Sequence, residues 1–305
     1  MKILVIGLGT MGTPIARRLA GAGFALTLND VNAEAANALA AELGAEAVAD
    51  LADNTGPFDV VLLMLPNSNI VAAVLDQVLT SPGAIVKAGS VVLDMGSSQP
   101  WATQENATRL ARLGVALVDA PVSGGPVRAA SGELSIMVGA DYNVAFDRVQ
   151  PALKALGTTI TRAGGVGSGH AVKALNNLLS LIGIVGAVEV LAVGEQFGLD
   201  PRVMLDVLNA STGRNHATEV KIGPQVVDAG WNVGFSLGLT VKDVDTALEL
   251  ARRQKQDLEL GERAGGIAHA ALAALDFSAD QSEIAKYLED RLHAQLSRVT
   301  STQQH

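Results

Sequence analysis

The sequence predicts an α/β fold: a doubly wound, mostly parallel sheet followed by an all-α domain. Three observations carry it. Short, nearly continuous apolar runs alternate with amphipathic segments through the first half, as strands covered by helices on both faces do. From His170 onward the periodicity is helical, with no convincing strand. Apolar residues make up 49% of the chain but aromatics only 3%, so the core must be built from Ala, Val, Leu and Ile, which suits helices on a parallel sheet.

In chain order, "KILVIG", "FALTLND", "DVVLLML", "SVVLDM", "VALVDAP" and "LSIMVGA" read as strands. Between them "MGTPIARRLAGAG", "AEAANALAAELG" and "QPWATQENATRLARLG" carry helical periodicity, and each stops at a glycine, a common helix terminator. Strand–helix alternation of this kind is the βαβ pattern. The character changes after "TTITRAGGVGSG", which sets a boundary near residue 163 and domains of 1–163 and 164–305. Helices are expected over about 168–197, 201–210, 216–229, 239–254, 258–275 and 280–296. The polar tail "SRVTSTQQH" reads as frayed.

Composition narrows the function classes. With 305 residues the chain can bury two ordinary cores. Lys plus Arg number 22 against 31 for Asp plus Glu, and the net charge of -9 opposes nucleic-acid phosphates and anionic membranes. The absence of cysteine excludes disulfides and thiolate zinc sites, and no metal site is expected. "MKILVIGLGTMG" has one positive charge and an apolar run too short for a signal peptide, so a cytoplasmic location is expected. Leu178 to Val193 is the nearest thing to a membrane span, yet Glu189 interrupts it and it falls short of the roughly 20 apolar residues a bilayer requires. It reads as a core helix or one at a subunit interface.

"GLGTMG", residues 7–12, follows a strand and opens a helix. Gly7 would make the tight turn, Gly9 would admit a pyrophosphate, and Gly12 would let helix and strand pack closely, with Leu8, Thr10 and Met11 completing the loop. The phosphate would then meet the free N–H groups of the helix start. Asp30 in "TLND" stands 18 residues past Gly12, where an acid binds ribose hydroxyls, and Asn29 before it is expected to line the same cofactor site; a loop cap is the other reading of Asp30. Val31 and Asn32 follow it, with no arginine for a 2′-phosphate, so NAD is expected over NADP.

"GSGHAVKALNN" holds Lys173, the one formal charge between Gly169 and Val188. On a helix Gly169, Lys173, Asn176, Asn177 and Ser180 share one side, a polar stripe on an apolar cylinder. An ammonium in apolar surroundings suits a general acid or base; a lysine snorkelling to solvent is the competing reading. The glycine one turn earlier leaves room for a ligand or another backbone. In "DAPVSGGPV" Ser123, Gly124 and Gly125 follow an apolar strand and offer a hydroxyl and main-chain N–H groups to a carboxylate, although alone they read as a turn. "GFSLGLTVKDVDTALELA" carries Phe235, Lys242 and Asp243; the adjacent Lys242 and Asp243 are not expected to share a face, and alone they read equally as a solvated helix start.

Together, "GLGTMG", "DAPVSGG", "GSGHAVKALNN" and "FSLGLTVKD" resemble, in order and spacing, the β-hydroxyacid dehydrogenase family, which includes 3-hydroxyisobutyrate dehydrogenase and tartronate semialdehyde reductase. The resemblance spans about residues 2 to 295. It implies an NAD-binding Rossmann domain, a helical domain for substrate and oligomerisation, a long connecting helix, an active site in the cleft, and a homodimer or homotetramer. It makes Lys173 the catalytic lysine and Asn177 the residue orienting substrate and lysine, with Asn176 beside it. It implies that Ser123, Gly124 and Gly125 bind the substrate carboxylate, that Phe235 and Asp243 line the pocket, and that Lys242 lies against the cofactor. Leu65 and Pro66 in "LPNSN" and Ser97 in "DMGSSQP" fall where the family contacts nicotinamide. The family more often has Ser-Thr where this chain has Gly96 and Ser97. In "STGRNHATE" Arg214, Asn215 and His216 would select the substrate's distal end, or form a helix-connecting turn.

The expected reaction is NAD-dependent hydride transfer at the β-hydroxyl carbon of a small hydroxyacid, with imine reductase, 6-phosphogluconate-type dehydrogenase and a non-catalytic NAD-binding module as rivals. Lys173 counts against an imine reductase and, with Asn177, against a non-catalytic module. A phosphorylated substrate calls for clustered cations, and from Ala163 to Leu250 the basic residues are Lys173, Arg202, Arg214, Lys221 and Lys242.

Overall fold

The computed structural model describes residues 1–53 and 56–297; the tail read as frayed lies outside them from residue 298 on. Contacts divide the chain into two units, Met1–Lys173 and Ala174–His305. The division falls inside a long helix, past the compositional change near residue 163, because the helix's first turn is hydrogen-bonded to the first unit: the N–H groups of Gly167 and His170 both donate to Asp119.

The first unit runs β1 (Lys2–Ile6), α1 (Gly12–Gly21), β2 (Ala25–Asn29), α2 (Ala33–Leu43), β3 (Glu46–Ala47), β4 (Val60–Leu63), α3 (Ser68–Thr80), β5 (Val91–Asp94), α4 (Pro100–Ala111), β6 (Ala116–Asp119), β7 (Val122–Ser123), α5 (Gly125–Ser131), β8 (Leu134–Gly139), α6 (Asn143–Leu156) and β9 (Gly157–Gly164). The sheet order is β3-β2-β1-β4-β5-β6-β8-β7, with β9 on β8. Pairs from β3 to β6 are parallel, β8 runs antiparallel to β6 and β7, and β9 is parallel to β8. Strand side chains alternate faces: Ile3, Val5, Val60 and Leu62 enter one core, while Leu4, Ile6, Val61 and Leu63 enter another on the opposite face. Burial on both faces explains the unbroken apolar runs. The order reverses between β1 and β4, where open α/β sheets form a ligand crevice beyond the strands' carboxyl ends.

The second unit follows from α7 (Ser168–Gln196), which begins in the first, and continues with α8 (Pro201–Asn209), a π-helix (Ala217–Val227), α9 (Leu237–Arg253), α10 (Glu259–Ala274), a 3-10 turn (Gln281–Glu283) and α11 (Ile284–Leu292). Leu181, Ile184, Val188 and Leu191 of α7 pack with Ile222, Val244, Ala268 and Leu288. The helix expected over 216–229 is wound as a π-helix with Pro224 inside it. The helix expected over 280–296 stops at Leu292, because His293 is left-handed at φ 54°. Counted from Ser168, α7 is long and apolar enough to cross a membrane by length and composition, and half of its apolar window is buried in the protein. Leu179, Val190, Val193 and Phe197 are exposed.

Candidate active site

In the first unit the predicted residues follow the carboxyl ends of successive parallel strands. The glycine loop follows β1 and Asp30 follows β2, while Leu65 and Pro66 follow β4 and Ser97 follows β5. Gly7 has φ +95°, and a Cβ there would strike the Met64 carbonyl oxygen. A Cβ on Gly12 would run into the Gly7 carbonyl oxygen. Both glycines are therefore fixed by the protein's own packing. Gly9 differs: it has no positive φ and a Cβ would meet nothing within 4 Å. Among the described residues nothing demands glycine there, which fits a loop that a pyrophosphate must approach. Helix α1 begins without a side-chain cap, so its first N–H groups suit the same anion. Thr10 is exposed and Met11 half-buried in this loop.

Asp30 braces the loop. Its Oδ2 accepts from Leu8 N at 2.7 Å and its Oδ1 from Asn32 N at 2.8 Å. Asn29 turns the other way: its buried amide donates to Val48 O at 2.8 Å and also to Ala49 O, so its side chain is committed to the fold. Leu65 and Ser97 are half-buried and Pro66 is exposed. Gly96, where the family pattern more often has serine, lies where a Cβ would come within 2.6 Å of the Leu65 carbonyl oxygen.

Lys173 is half-buried on α7, and its Nζ donates to Val122 O at 2.9 Å. The expected apolar surroundings thus include a main-chain acceptor on β7, one residue before Ser123. Ser123 ends β7, and Gly124 and Gly125 follow with φ of 134° and 70°. Gly169 makes room for another backbone: a Cβ would strike the Met137 carbonyl oxygen and reach Asp119 Oδ2 at 2.8 Å.

Behind this turn lies a polar cluster that sequence reasoning missed. Asp119, Asp94 and His170 are 0%, 1% and 1% exposed. Asp119 accepts from Gly167 N at 2.7 Å and His170 N at 2.9 Å. Asp94 accepts from Gly96 N at 3.0 Å and the Ser98 hydroxyl at 2.9 Å. His170 Nδ1 is 2.9 Å from Thr103 Oγ1, and Nε2 is 3.9 Å from Asp94 Oδ2 with no hydrogen-bond partner among the described residues. Burial pushes the Asp119 carboxyl above its usual range, against the pull of the His170 ring and the two amides, with Asp94 adding to the rise. The readable signal was an acid closing each of two apolar strands, "VVLD" and "ALVD".

In the second unit, Asn177 stands one turn beyond Lys173 and donates from Nδ2 to Asp243 Oδ2 at 2.6 Å. Asp243 is 1% exposed, and Lys242 Nζ lies 3.1 Å from its Oδ1. The expectation that these neighbours stay on separate faces is corrected here: the long lysine side chain folds back onto the next residue. Asn176 is exposed and donates to Asn177 Oδ1 at 3.2 Å. Phe235 is half-buried, and its carbonyl accepts from Gln281 N. Ser180, on the Lys173 stripe, accepts from the buried Lys221 at 2.9 Å.

The segment 211–219 is mostly exposed. Arg214 pairs with Glu219 at 3.5 Å, and Asn215 Oδ1 caps the π-helix through Ala217 N and Thr218 N. His216 is held below the ordinary histidine range, by desolvation first and then by the Lys221 ammonium, with Glu219 opposing.

Two family descriptions match successive stretches of the chain. Residues 2–165 match the family described as the NAD-binding domain of 6-phosphogluconate dehydrogenase. Residues 167–288 match the family described as NAD-binding of NADP-dependent 3-hydroxyisobutyrate dehydrogenase. The 2-(hydroxymethyl)glutarate dehydrogenase of Eubacterium barkeri is 36% identical over 83% of this chain and 83% of its own. The 2-hydroxy-3-oxopropionate reductase of Escherichia coli is 35% identical over 83% of this chain and 85% of its own. Among solved structures, Mycobacterium tuberculosis 3-hydroxyisobutyrate dehydrogenase with L-serine superposes with a TM-score of 0.83 at 28% identity, covering 94% of this chain and 98% of that one. With both units matched and relatives aligned along most of their length, the chain belongs to the β-hydroxyacid dehydrogenase family and is an NAD(P)-dependent oxidoreductase.

Proposed function

We propose that the enzyme oxidises and re-forms the β-hydroxyl group of a small unphosphorylated hydroxycarboxylic acid of the 3-hydroxyisobutyrate type, with NAD as cofactor and Lys173 as general acid–base. The observation that carries this reading is the 2.9 Å hydrogen bond from Lys173 Nζ to Val122 O. It holds a proton-transfer group beside the residue that precedes Ser123, so amine and carboxylate-binding loop stand together. The Ser123 hydroxyl and the N–H groups of Gly124 and Gly125 hold the substrate carboxylate. Asn177 holds the reacting oxygen, and Asp243, accepting from its amide, fixes which way that amide points. Phe235 and Asp243 match the pocket residues of the family. The glycine loop and Asp30 would hold NAD, which would supply the hydride acceptor for oxidation and, as NADH, the hydride donor for reduction. In oxidation Lys173, as the amine, takes the hydroxyl proton; in reduction its ammonium gives that proton to the carbonyl oxygen.

A short, unphosphorylated substrate is supported by the relatives' names and by the scarcity of available cations. Arg202 pairs with Asp228 and Arg214 with Glu219, which leaves no evident cluster for a phosphate among the described residues. NAD is favoured because the Asp30 carboxylate, set at the end of β2, would repel a 2′-phosphate. The reading includes a homodimer or homotetramer, supported by the exposed Leu179, Val190, Val193 and Phe197; light scattering measures it. Changing Lys173→Met should lower turnover about 10²- to 10⁴-fold while NADH fluorescence titration gives an unchanged Kd. Near-normal turnover would remove Lys173 from the mechanism, and a preference for NADPH in the wild-type assay would reverse the cofactor assignment.

A further inference from the structure

The cluster of Asp119, His170, Thr103 and Asp94 has no part in the chemistry just described, yet it costs the fold something to keep. A carboxylate with no exposure loses several kcal/mol of solvation that its partners must replace. A neutral hydrogen-bonding residue could satisfy two main-chain N–H groups; this chain uses an acid, places a second acid nearby and sets a buried histidine between them at 3.8 and 3.9 Å. The N–H groups that Asp119 holds belong to Gly167 and His170, which bracket the start of α7. Hydrogen bonds to an ionised acceptor are shorter and stiffer than neutral ones. Between them, Gly169 lets the turn press against the end of β6, with no space for a methyl group. Lys173 follows Gly169 by one helical turn, so a tilt of the first turn moves its amine directly.

We infer that Asp119 is a positioning residue of this enzyme: by fixing the first turn of α7 it sets where Lys173 presents its amine, with His170 and Thr103 packed behind it as a brace. The inference rests on the reading of Lys173 as acid–base. A displacement of about 1 Å at a reacting group can cost about 100-fold in rate, which sets the size of effect to look for.

The test is a double-mutant comparison on the full-length enzyme, at enzyme concentrations high enough to resolve the residual rate of Lys173→Met. Asp119→Asn keeps the shape but turns a donor or a neutral oxygen toward N–H groups that met a carboxylate. It should lower kcat about 10- to 100-fold while the NADH Kd stays within about twofold of wild type. In the Lys173→Met background the same change should slow turnover by less than about twofold, since coupled sites are non-additive. Native kcat in Asp119→Asn overturns the inference, and so does an equal slowing in both backgrounds, which marks a merely structural acid. Near-normal turnover of Lys173→Met alone instead removes the reading beneath it. If Asp119→Asn does not fold, Gly169→Ala, which pushes the same turn off Asp119, is put through the same comparison with the same deciding outcomes.

Discussion

The two units hold their candidate site residues by different means. In Met1–Lys173, main-chain groups do the holding: Asp30 accepts from Leu8 N, Asp119 from Gly167 N and His170 N, and Lys173 donates to Val122 O. In the helical unit, side chains hold side chains: Asn177 donates to Asp243, Lys242 pairs with Asp243, and Lys221 donates to Ser180. Main-chain anchors follow from where parallel strands end, so they are sensitive to backbone position. Side-chain pairs sit on helices that would form without them, so they are sensitive to the loss of a partner. The first unit should therefore fail through geometry and the second through chemistry.

The sharpest way to break that contrast is inside the glycine loop. Gly12→Ala forces a methyl group into the Gly7 carbonyl oxygen, a backbone atom that cannot swing aside. Overpacking typically costs about 1–3 kcal/mol, and the upper end is expected here, read as a lowered urea midpoint together with lost NADH binding. Gly9→Ala meets no atom of the described residues within 4 Å. It should leave the urea midpoint unchanged and weaken NADH binding about tenfold or more. If Gly9→Ala bound NADH normally, the loop would have to be read as a turn, and if it lowered stability as much as Gly12→Ala, the two glycines would share one structural role.

The same contrast explains which parts could be read in advance. Six strands were legible because both sheet faces are buried, as Leu4 and Val5 entering opposite cores illustrate. Strand β9 escaped because "GTTITRAG" is mostly exposed and polar, and β3 and β7 escaped at two residues each. Lys173 and Asn177 were legible because one helix carries both at a fixed spacing. Asp119, Asp94, His170 and Thr103 were not, because their meeting depends on the fold: Thr103 and His170 are 67 residues apart in sequence. Lys242 and Asp243 were misread because helical spacing describes where Cβ atoms point, and a four-carbon side chain can fold back across it. The Asn29 amide donates to Val48 O and Ala49 O, contacts spanning 19 and 20 positions of sequence that no local spacing could reveal.

A smaller effect tests the helical half. Asp243 is 1% exposed and receives both the Asn177 amide at 2.6 Å and the Lys242 ammonium at 3.1 Å. Asp243→Ala removes the acceptor of the Asn177 amide and the carboxylate beside the Lys242 ammonium. Loss of one partner of a buried pair costs about 3–5 kcal/mol, but the Lys242 side chain is 27% exposed and water can take over its share, so about 2 kcal/mol is expected in urea unfolding. Asp243→Asn keeps an acceptor for Asn177 and should recover about half of that loss. Activity should then separate the roles. If Asp243 works by turning the Asn177 amide, Asp243→Asn retains more kcat than Asp243→Ala, and Asn177→Ala abolishes the difference between them. If instead Asp243→Asn is as slow as Asp243→Ala while its stability recovers, the negative charge itself is needed, and the side-chain half of the molecule acts on the substrate through electrostatics as well as through orientation.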